Sequence, residues 1–319
     1  MPSGDGVRMP QGTVIRVQGP QVIVRIRGRD RHAALRGALK AGRRQATHPV
    51  VTGDLVRLGG DEAGGWAVEG IVERRNLVAR VDPGDPRRMH GIAANVDQLV
   101  CLQSFRDPPL NLRSLDRFLL LGESAGIPPA IVVNKDDLRT GSPPSELDFY
   151  PRIGIPVLLA SAKEGTAIEG LRRLIAGKQS VLVGPSGVGK SSLLNRTIPG
   201  LHLPTRAVSR ATSKGTHTTV RVEWIDLPEG GAVLDTPGLR VVQPWGLRPD
   251  RLAMLFREFE PYADCQYADC LHRKEPACGV RSAVEEGRIP AFRYDSYLRI
   301  LTSLDEEANR IKRRGESRR

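Results

Sequence analysis

The sequence predicts a multidomain protein: an N-terminal all-β, OB-like barrel, a central α/β domain, and a small helical C-terminal domain able to hold a metal. Three observations carry this. Short β-branched runs punctuated by Gly and Pro occupy residues 13–72. From residue 95 apolar strand-like runs alternate with helical patterns, which implies a mostly parallel sheet covered by helices. Near the C-terminus Cys265, Cys270 and Cys278 fall within fourteen residues, with His272 among them.

At 319 residues the chain can bury two or three cores. No apolar run approaches the ~18 residues of a membrane span, and Met1 to Pro10 carry no apolar secretory core. The expectation is a cytoplasmic protein with no membrane partner. In that compartment grouped thiols point to metal before disulfide. Cys101 falls in a predicted strand and reads as a buried apolar residue.

The formal net charge of +12 is gathered in patches. Residues 25–44 hold eight Lys or Arg and one acid, Asp30, and the last ten residues are strongly basic. Patches of this kind suggest a polyanionic partner more than dispersed solubilising charge.

In the first segment, residues 13–17, 21–26, 48–58 and 66–72 read as strands, with Gly19-Pro20 as a turn. A small OB-like barrel fits their number and length. Trp66 is the only aromatic before Phe105, so phosphate contact by arginine is a better-supplied binding mode than base stacking. Asp82-Pro-Gly-Asp-Pro-Arg-Arg88 reads as a linker. We expect the barrel over 1–85, the α/β domain over 86–245 and the C-terminal domain, with a helical basic tail, over 246–319.

In the second segment, strands are expected at 99–102, 130–133, 157–160, 181–183 and 232–234, and helices at 112–123 and 168–175. Ligands of such sheets bind beyond the carboxyl ends of the strands. Four motifs lie there. Gly184, Pro185, Ser186, Gly187, Val188, Gly189, Lys190 and Ser191 satisfy G-x-x-x-x-G-K-[ST] between a strand and a helix opened by Ser192. Such a loop wraps backbone N–H groups around phosphates; Lys190 would reach the β/γ-phosphates, and the Ser191 hydroxyl would ligate Mg²⁺. Asn134, Lys135, Asp136 and Asp137 match the N-K-x-D guanine motif. The Asp137 carboxylate can accept from guanine N1–H and its amine together, and adenine would leave it unpaired, a loss worth ~10⁴ or more in discrimination. Ser161, Ala162 and Lys163 match the companion motif for guanine O6. Asp235-Thr-Pro-Gly238 resembles the D-x-x-G switch, with Gly238 N–H toward the γ-phosphate, and upstream Gly215-Thr-His-Thr-Thr219 can close on Mg²⁺. One nucleotide, GTP, satisfies all of them.

Their order is unusual. The guanine motifs at 134 and 161 precede the phosphate loop at 184 and the switches at 215 and 235, the reverse of the familiar Ras-like arrangement. A site assembled from strand ends survives such a permutation if the old termini are rejoined. The central domain therefore reads as a circularly permuted P-loop GTPase.

With Ala94-Asn-Val-Asp-Gln98, this motif order, Gly215-Thr-His-Thr-Thr219, the Cys265-x₄-Cys270-x-His272-x₅-Cys278 set and Arg293-Tyr-Asp-Ser-Tyr297, the chain resembles the ribosome small subunit-dependent GTPase A (RsgA) family over nearly its whole length. Asp-Thr-Pro-Gly, where many members carry Asp-Ser-Pro-Gly, is a conservative departure. The resemblance implies an OB barrel, a permuted GTPase and a C-terminal zinc domain. Position 239, where Ras-like enzymes place a water-orienting Gln, is Leu here. The resemblance implies that His217 orients the water instead, with Lys190 as the other catalytic residue and Thr219 as a second Mg²⁺ ligand. Three thiolates and one imidazole suit a closed structural zinc site, and the resemblance implies one zinc per chain at Cys265, Cys270, His272 and Cys278.

The expected function is a monomeric GTPase that binds the small ribosomal subunit and its rRNA, and couples hydrolysis to late subunit maturation and its own release. The rivals are a permuted GTPase acting on the large subunit and a non-hydrolysing, GTP-dependent RNA-binding protein.

Overall fold

The computed structural model describes residues 9–37, 39, 46–205, 222–236 and 243–316, the last six by backbone alone. Five strands close the N-terminal barrel: β1 (Gln11–Gln18), β2 (Gln21–Ile26), β3 (Arg29–Leu35), β4 (Leu55–Asp61) and β5 (Gly65–Ile71), in the order β1-β2-β3-β5-β4. Period-two alternation fills it, with Val14, Val22, Val24, Ala33, Leu35, Val56, Leu58 and Val68 in one core. β3 lies outside the expected strands because its charged first half hides the alternation; only Ala33 and Leu35 are buried. The strand expected from residue 48 begins at Leu55. Ahead of it the buried Asp54 carboxylate accepts from Val51 N at 2.8 Å and from Arg74 Nε at 2.6 Å, holding a loop.

Residues 82–88, expected as a linker, are the turn of a hairpin joining β6 (Leu77–Val81) to β7 (Met89–Ala94). Asp82 Oδ1 closes the turn by accepting from Gly84 N at 2.8 Å and Asp85 N at 3.0 Å. Val78, Ile92 and Ala93 of this hairpin pack into the core of the α/β domain. Its other edge receives the chain after residue 242: Val81 N donates to Gln243 O at 2.9 Å and Trp245 N to Ala79 O at 3.1 Å.

Six strands build the central sheet: β8 (Gln98–Ser104), β9 (Pro129–Asn134), β10 (Val157–Leu159), β11 (Gln179–Val183), β12 (Glu223–Asp226) and β13 (Ala232–Asp235). The order is β10-β9-β8-β11-β13-β12, parallel throughout except for the antiparallel edge β12. α1 (Leu112–Ser124) starts where Asn111 accepts from Ser114 N at 3.0 Å, and its apolar stripe covers one face. α2 (Ile168–Ile175) and α3 (Lys190–Thr197) cover the other. Because the sheet is parallel, β8, β9, β10, β11 and β13 all release their chains at one edge.

The C-terminal region packs α4 (Gly279–Glu285) and α5 (Ala291–Glu316) around Phe256, Phe259, Tyr297 and Leu301, with Leu120 of α1 in the same core. Its junction with α1 is ionic. Buried Arg293 of α5 donates to Asp116 of α1 and, at 2.5 Å, from Nε to Glu258; Tyr150 Oη donates to Asp116 at 3.0 Å. Burial raises the Asp116 carboxyl, and Arg293 opposes it. Burial alone would lower the Arg293 guanidinium, but the two carboxylates outweigh it and hold it protonated. Arg293→Met should therefore cost about 3–5 kcal/mol, since two buried carboxylates lose their partner. Adding Asp116→Asn and Glu258→Gln should recover most of that. Urea melts of the three proteins check this; an unchanged midpoint for Arg293→Met would show the network to be neutral.

Candidate nucleotide and metal sites

β11 runs directly into the loop at 184–191. Gly184 is required by space: a Cβ there would stand 2.4 Å from the Leu102 carbonyl oxygen of β8. Gly189 caps α3 in the left-handed region at φ 90°, and a Cβ would stand 2.2 Å from Asn134 Nδ2. Val188 is buried, Ser186 and Gly187 are exposed, and Ser191 and Ser192 lie half-buried in the first turn of α3. Lys190 is buried, and its Nζ donates to the carbonyls of Gly184 at 3.0 Å and Pro185 at 3.1 Å. The ammonium thus crosses its own loop. Burial lowers its pKa, and Asp235 opposes that.

Asn134 ends β9 and is 1% exposed. Its Nδ2 donates to Val188 O at 2.8 Å, and its Oδ1 accepts from Ala162 N at 3.1 Å. Three sequence-distant segments are joined by one carboxamide. Asp137 Oδ1 accepts from Ser161 Oγ at 2.6 Å, and Lys163 Nζ lies 3.8 Å from Asp137 Oδ2. Asp136 turns away, paired with Arg139 at 2.6 Å. Lys135 sits in the left-handed region at φ 61°, and its ammonium donates to the Asp107 carbonyl. The 104–110 loop after β8 was not anticipated from the sequence. Ser104 Oγ donates to Pro108 O at 2.7 Å, and a Cβ on Gly187 would lie 3.5 Å from Pro108 Cδ, so this loop flanks the phosphate loop.

At the end of β13, burial pushes Asp235 up to about 6, with Lys190 opposing and Glu223 adding. Its Oδ1 is buried with no hydrogen-bond partner among the described residues. Thr236 Oγ1 donates to Leu182 O at 2.6 Å. His217, Thr219 and Gly238 lie outside the described residues.

Residues 71–245 match the family model described as RsgA GTPase. The "Small ribosomal subunit biogenesis GTPase RsgA" of Gemmatimonas aurantiaca is 40% identical over 90% of this chain and 92% of its own. The chain belongs to the RsgA GTPase family. The RsgA protein of Chlorobaculum parvum is 42% identical over 74% of this chain and 76% of its own. Among solved structures, YjeQ from Thermotoga maritima aligns with a TM-score of 0.72 at 31% identity, covering 92% of this chain and 98% of that one. YloQ, described as a circularly permuted GTPase, aligns at 0.68 with 28% identity, covering 96% and 98%. This RsgA-family chain is a GTP-hydrolysing enzyme, with the barrel, permuted GTPase and helical cysteine-bearing region that its sequence suggests.

The second site of this RsgA-family GTPase is the C-terminal cluster. The ligand atoms of Cys265, Cys270, His272 and Cys278 all lie within 4.8 Å of one another. His272 Nδ1 is 3.5 Å from the sulfurs of Cys265 and Cys270 and 3.3 Å from that of Cys278, and Cys265 and Cys278 Sγ are 3.8 Å apart. Tyr294 Oη donates to His272 O at 2.6 Å, and Tyr297 Oη to Leu271 O at 2.7 Å, fixing the loop to α5. Burial works against ionisation of Glu275, but its own amide and those of Leu271, Arg273 and Lys274 outweigh it and hold its carboxyl down at about 2. This cluster can hold a metal ion. Cys270→Ser should lose the metal and lower the melting temperature, as chelation of the wild type should. Metal analysis beside thermal melts tests this; equal metal content in both proteins would sink it.

Proposed function

We propose that the chain binds the small ribosomal subunit through its rRNA, as a cytoplasmic monomer. GTP hydrolysis is coupled to late maturation of the subunit and to the protein's own release. The observation that carries the nucleotide half of the reading is the Asn134 carboxamide, which brings the N-K-x-D, S-A-K and phosphate-loop segments to one sheet edge. The names of the relatives and the basic charge of +12 support the ribosomal half.

In this reading the loop 184–191, with Ser192, wraps the phosphates, and Lys190 leaves its two carbonyls for the β/γ-oxygens. Asp137, steadied by Ser161, reads guanine N1–H and the amine; Lys135 lies along the base, and the Ala162 N–H meets guanine O6. Ser191 and Thr219 hold Mg²⁺, and the unpartnered Asp235 Oδ1 fits a role beside them through water. Mg²⁺, when bound, neutralises charge between the β- and γ-phosphates. Gly238 N–H meets the γ-phosphate, and His217 orients the water that attacks its phosphorus as the β–γ bridging bond breaks. A tetrahedral zinc with Zn–S about 2.3 Å and Zn–N about 2.05 Å requires S···S edges of about 3.8 Å and S···N edges of about 3.6 Å. In the C-terminal cluster the Cys265–Cys278 S···S edge of 3.8 Å and the three S···N edges of 3.3–3.5 Å support zinc there.

Asp137→Asn should move preference from GTP toward XTP, because the amide donates where the carboxylate accepted; unchanged GTP-over-XTP preference in a binding assay would place base reading elsewhere. For the function itself, GTP turnover is measured alone, with purified small subunits and with large subunits. Stimulation by small subunits only is expected. His217→Ala should bind GTP and the subunit yet lose at least tenfold in stimulated turnover. Equal stimulation by both subunits, or none by either, would overturn the reading.

A further inference from the structure

The barrel's arginines are unevenly engaged. Arg25 is held twice, by Asp30 at 2.8 Å and by Asp226 of β12 at 2.5 Å. Arg31 faces Glu62 at 2.6 Å, and Arg36 faces Glu69 at 3.1 Å. Arg27 and Arg29 are exposed, and neither has an ion-pair partner among the described residues. Arg57, exposed on β4, lies instead across the sheet: a Cβ on Gly70 would stand 2.8 Å from its Nη2.

Arg27 and Gly28 form the two-residue turn between β2 and β3, where Ile26 pairs with Arg29. Both have positive φ, 48° and 77°. Turns with two left-handed residues favour Asn-Gly or Asp-Gly. An arginine stands at the first position here, so a cation occupies the tip against local backbone preference. The turn is also fixed in place. Two residues before Arg27, the Arg25–Asp226 pair ties β2 to the edge strand of the GTPase sheet, and β12 begins just after the segment that carries His217 and Thr219.

We infer that the β2–β3 turn is a phosphate-contacting tip, in which Arg27 and Arg29 grip the backbone of RNA beside the GTPase sheet. The inference rests on the small-subunit reading above. Two guanidinium forks two residues apart suit bidentate contact with successive phosphates. The exposed large hydrophobics among the described residues are Met9, Leu138, Met254 and Tyr267, none of them in this turn. The tip therefore has no apolar anchor of the kind a protein interface core or a lipid surface would use.

The test uses the full-length chain with a non-hydrolysable GTP analogue and purified small subunits, over a series of KCl concentrations. The proteins are wild type, Arg27→Gln with Arg29→Gln, and the control Arg31→Gln with Arg36→Gln. The first pair should weaken binding roughly tenfold near physiological salt. It should also make the slope of log affinity against log salt shallower by about 1.4 to 1.8, two contacts at ~0.7–0.9 each. The control should leave the slope within error of wild type, and GTP turnover without subunits should be equal in all three. An unchanged slope for the first pair, or equal losses from both pairs, overturns the tip and leaves the small-subunit reading standing. A difference on intact subunits that vanishes on deproteinised small-subunit RNA places a protein under the turn and also overturns it. Failure of the wild type to bind small subunits overturns the reading itself.

Discussion

The carboxamide of Asn134 holds the phosphate loop at Val188 and the S-A-K loop at Ala162, from the end of β9. Each contact is a neutral hydrogen bond worth about 1 kcal/mol net, but the group is buried, so losing either partner costs more than the bond itself. Gly189 follows from the same geometry, because any side chain there would collide with the amide. The strands meeting at Asn134 are far apart in sequence. What keeps the loops in register is a set of tertiary bonds at a parallel sheet's edge, and those bonds are indifferent to which loop comes first along the chain. A permuted order therefore leaves the arrangement intact.

The central domain was legible in outline because each motif followed an apolar run with a strand's length, and the sheet places all those runs side by side. The barrel was legible only in part. β3 begins with Arg29, Asp30 and Arg31, and its inward alternation shows at just Ala33 and Leu35. The β6–β7 hairpin was hidden by its own turn: Asp82-Pro-Gly-Asp-Pro reads as a break, and nothing local tells that Val78 and Ile92 share a core with α1. β12 is four residues at a sheet edge, too short for periodicity. The 104–110 loop was missed because its neighbour is the phosphate loop, some eighty residues away, and no pattern in either segment encodes that contact. Conversely, the grouping of Cys265, Cys270, His272 and Cys278 pointed to a metal by residue type, and zinc came from the family resemblance rather than from the spacing.

The two junctions of the GTPase domain differ in kind. On the barrel side partly exposed pairs, Arg25–Asp226 and Arg75–Asp97 at 3.0 Å, stand beside backbone bonds, Thr47 N donating to Met89 O at 2.8 Å and Ala94 N to Thr52 O at 3.0 Å. The exposed ion pairs there hold weakly and yield to salt. On the other side, Arg293, Asp116, Glu258 and Tyr150 are sealed in an apolar core continuous with α1. A sealed charge cluster has no water to substitute for a lost partner, so that junction opens only at high cost.

α5 grows out of the sealed junction. Its last buried side chain among the described residues is Leu304, and the helix continues twelve residues further to Glu316. At about 1.5 Å per residue this is about 18 Å of helical backbone, tied to the body near its start where Arg273 pairs with Asp305 at 2.5 Å. A disordered segment of the same length would sample many separations from the barrel. A helix rooted by Arg293 does not. The helical backbone from Asp305 to Glu316 therefore leaves the C-terminal core along one axis, set by the helix that Arg293 anchors.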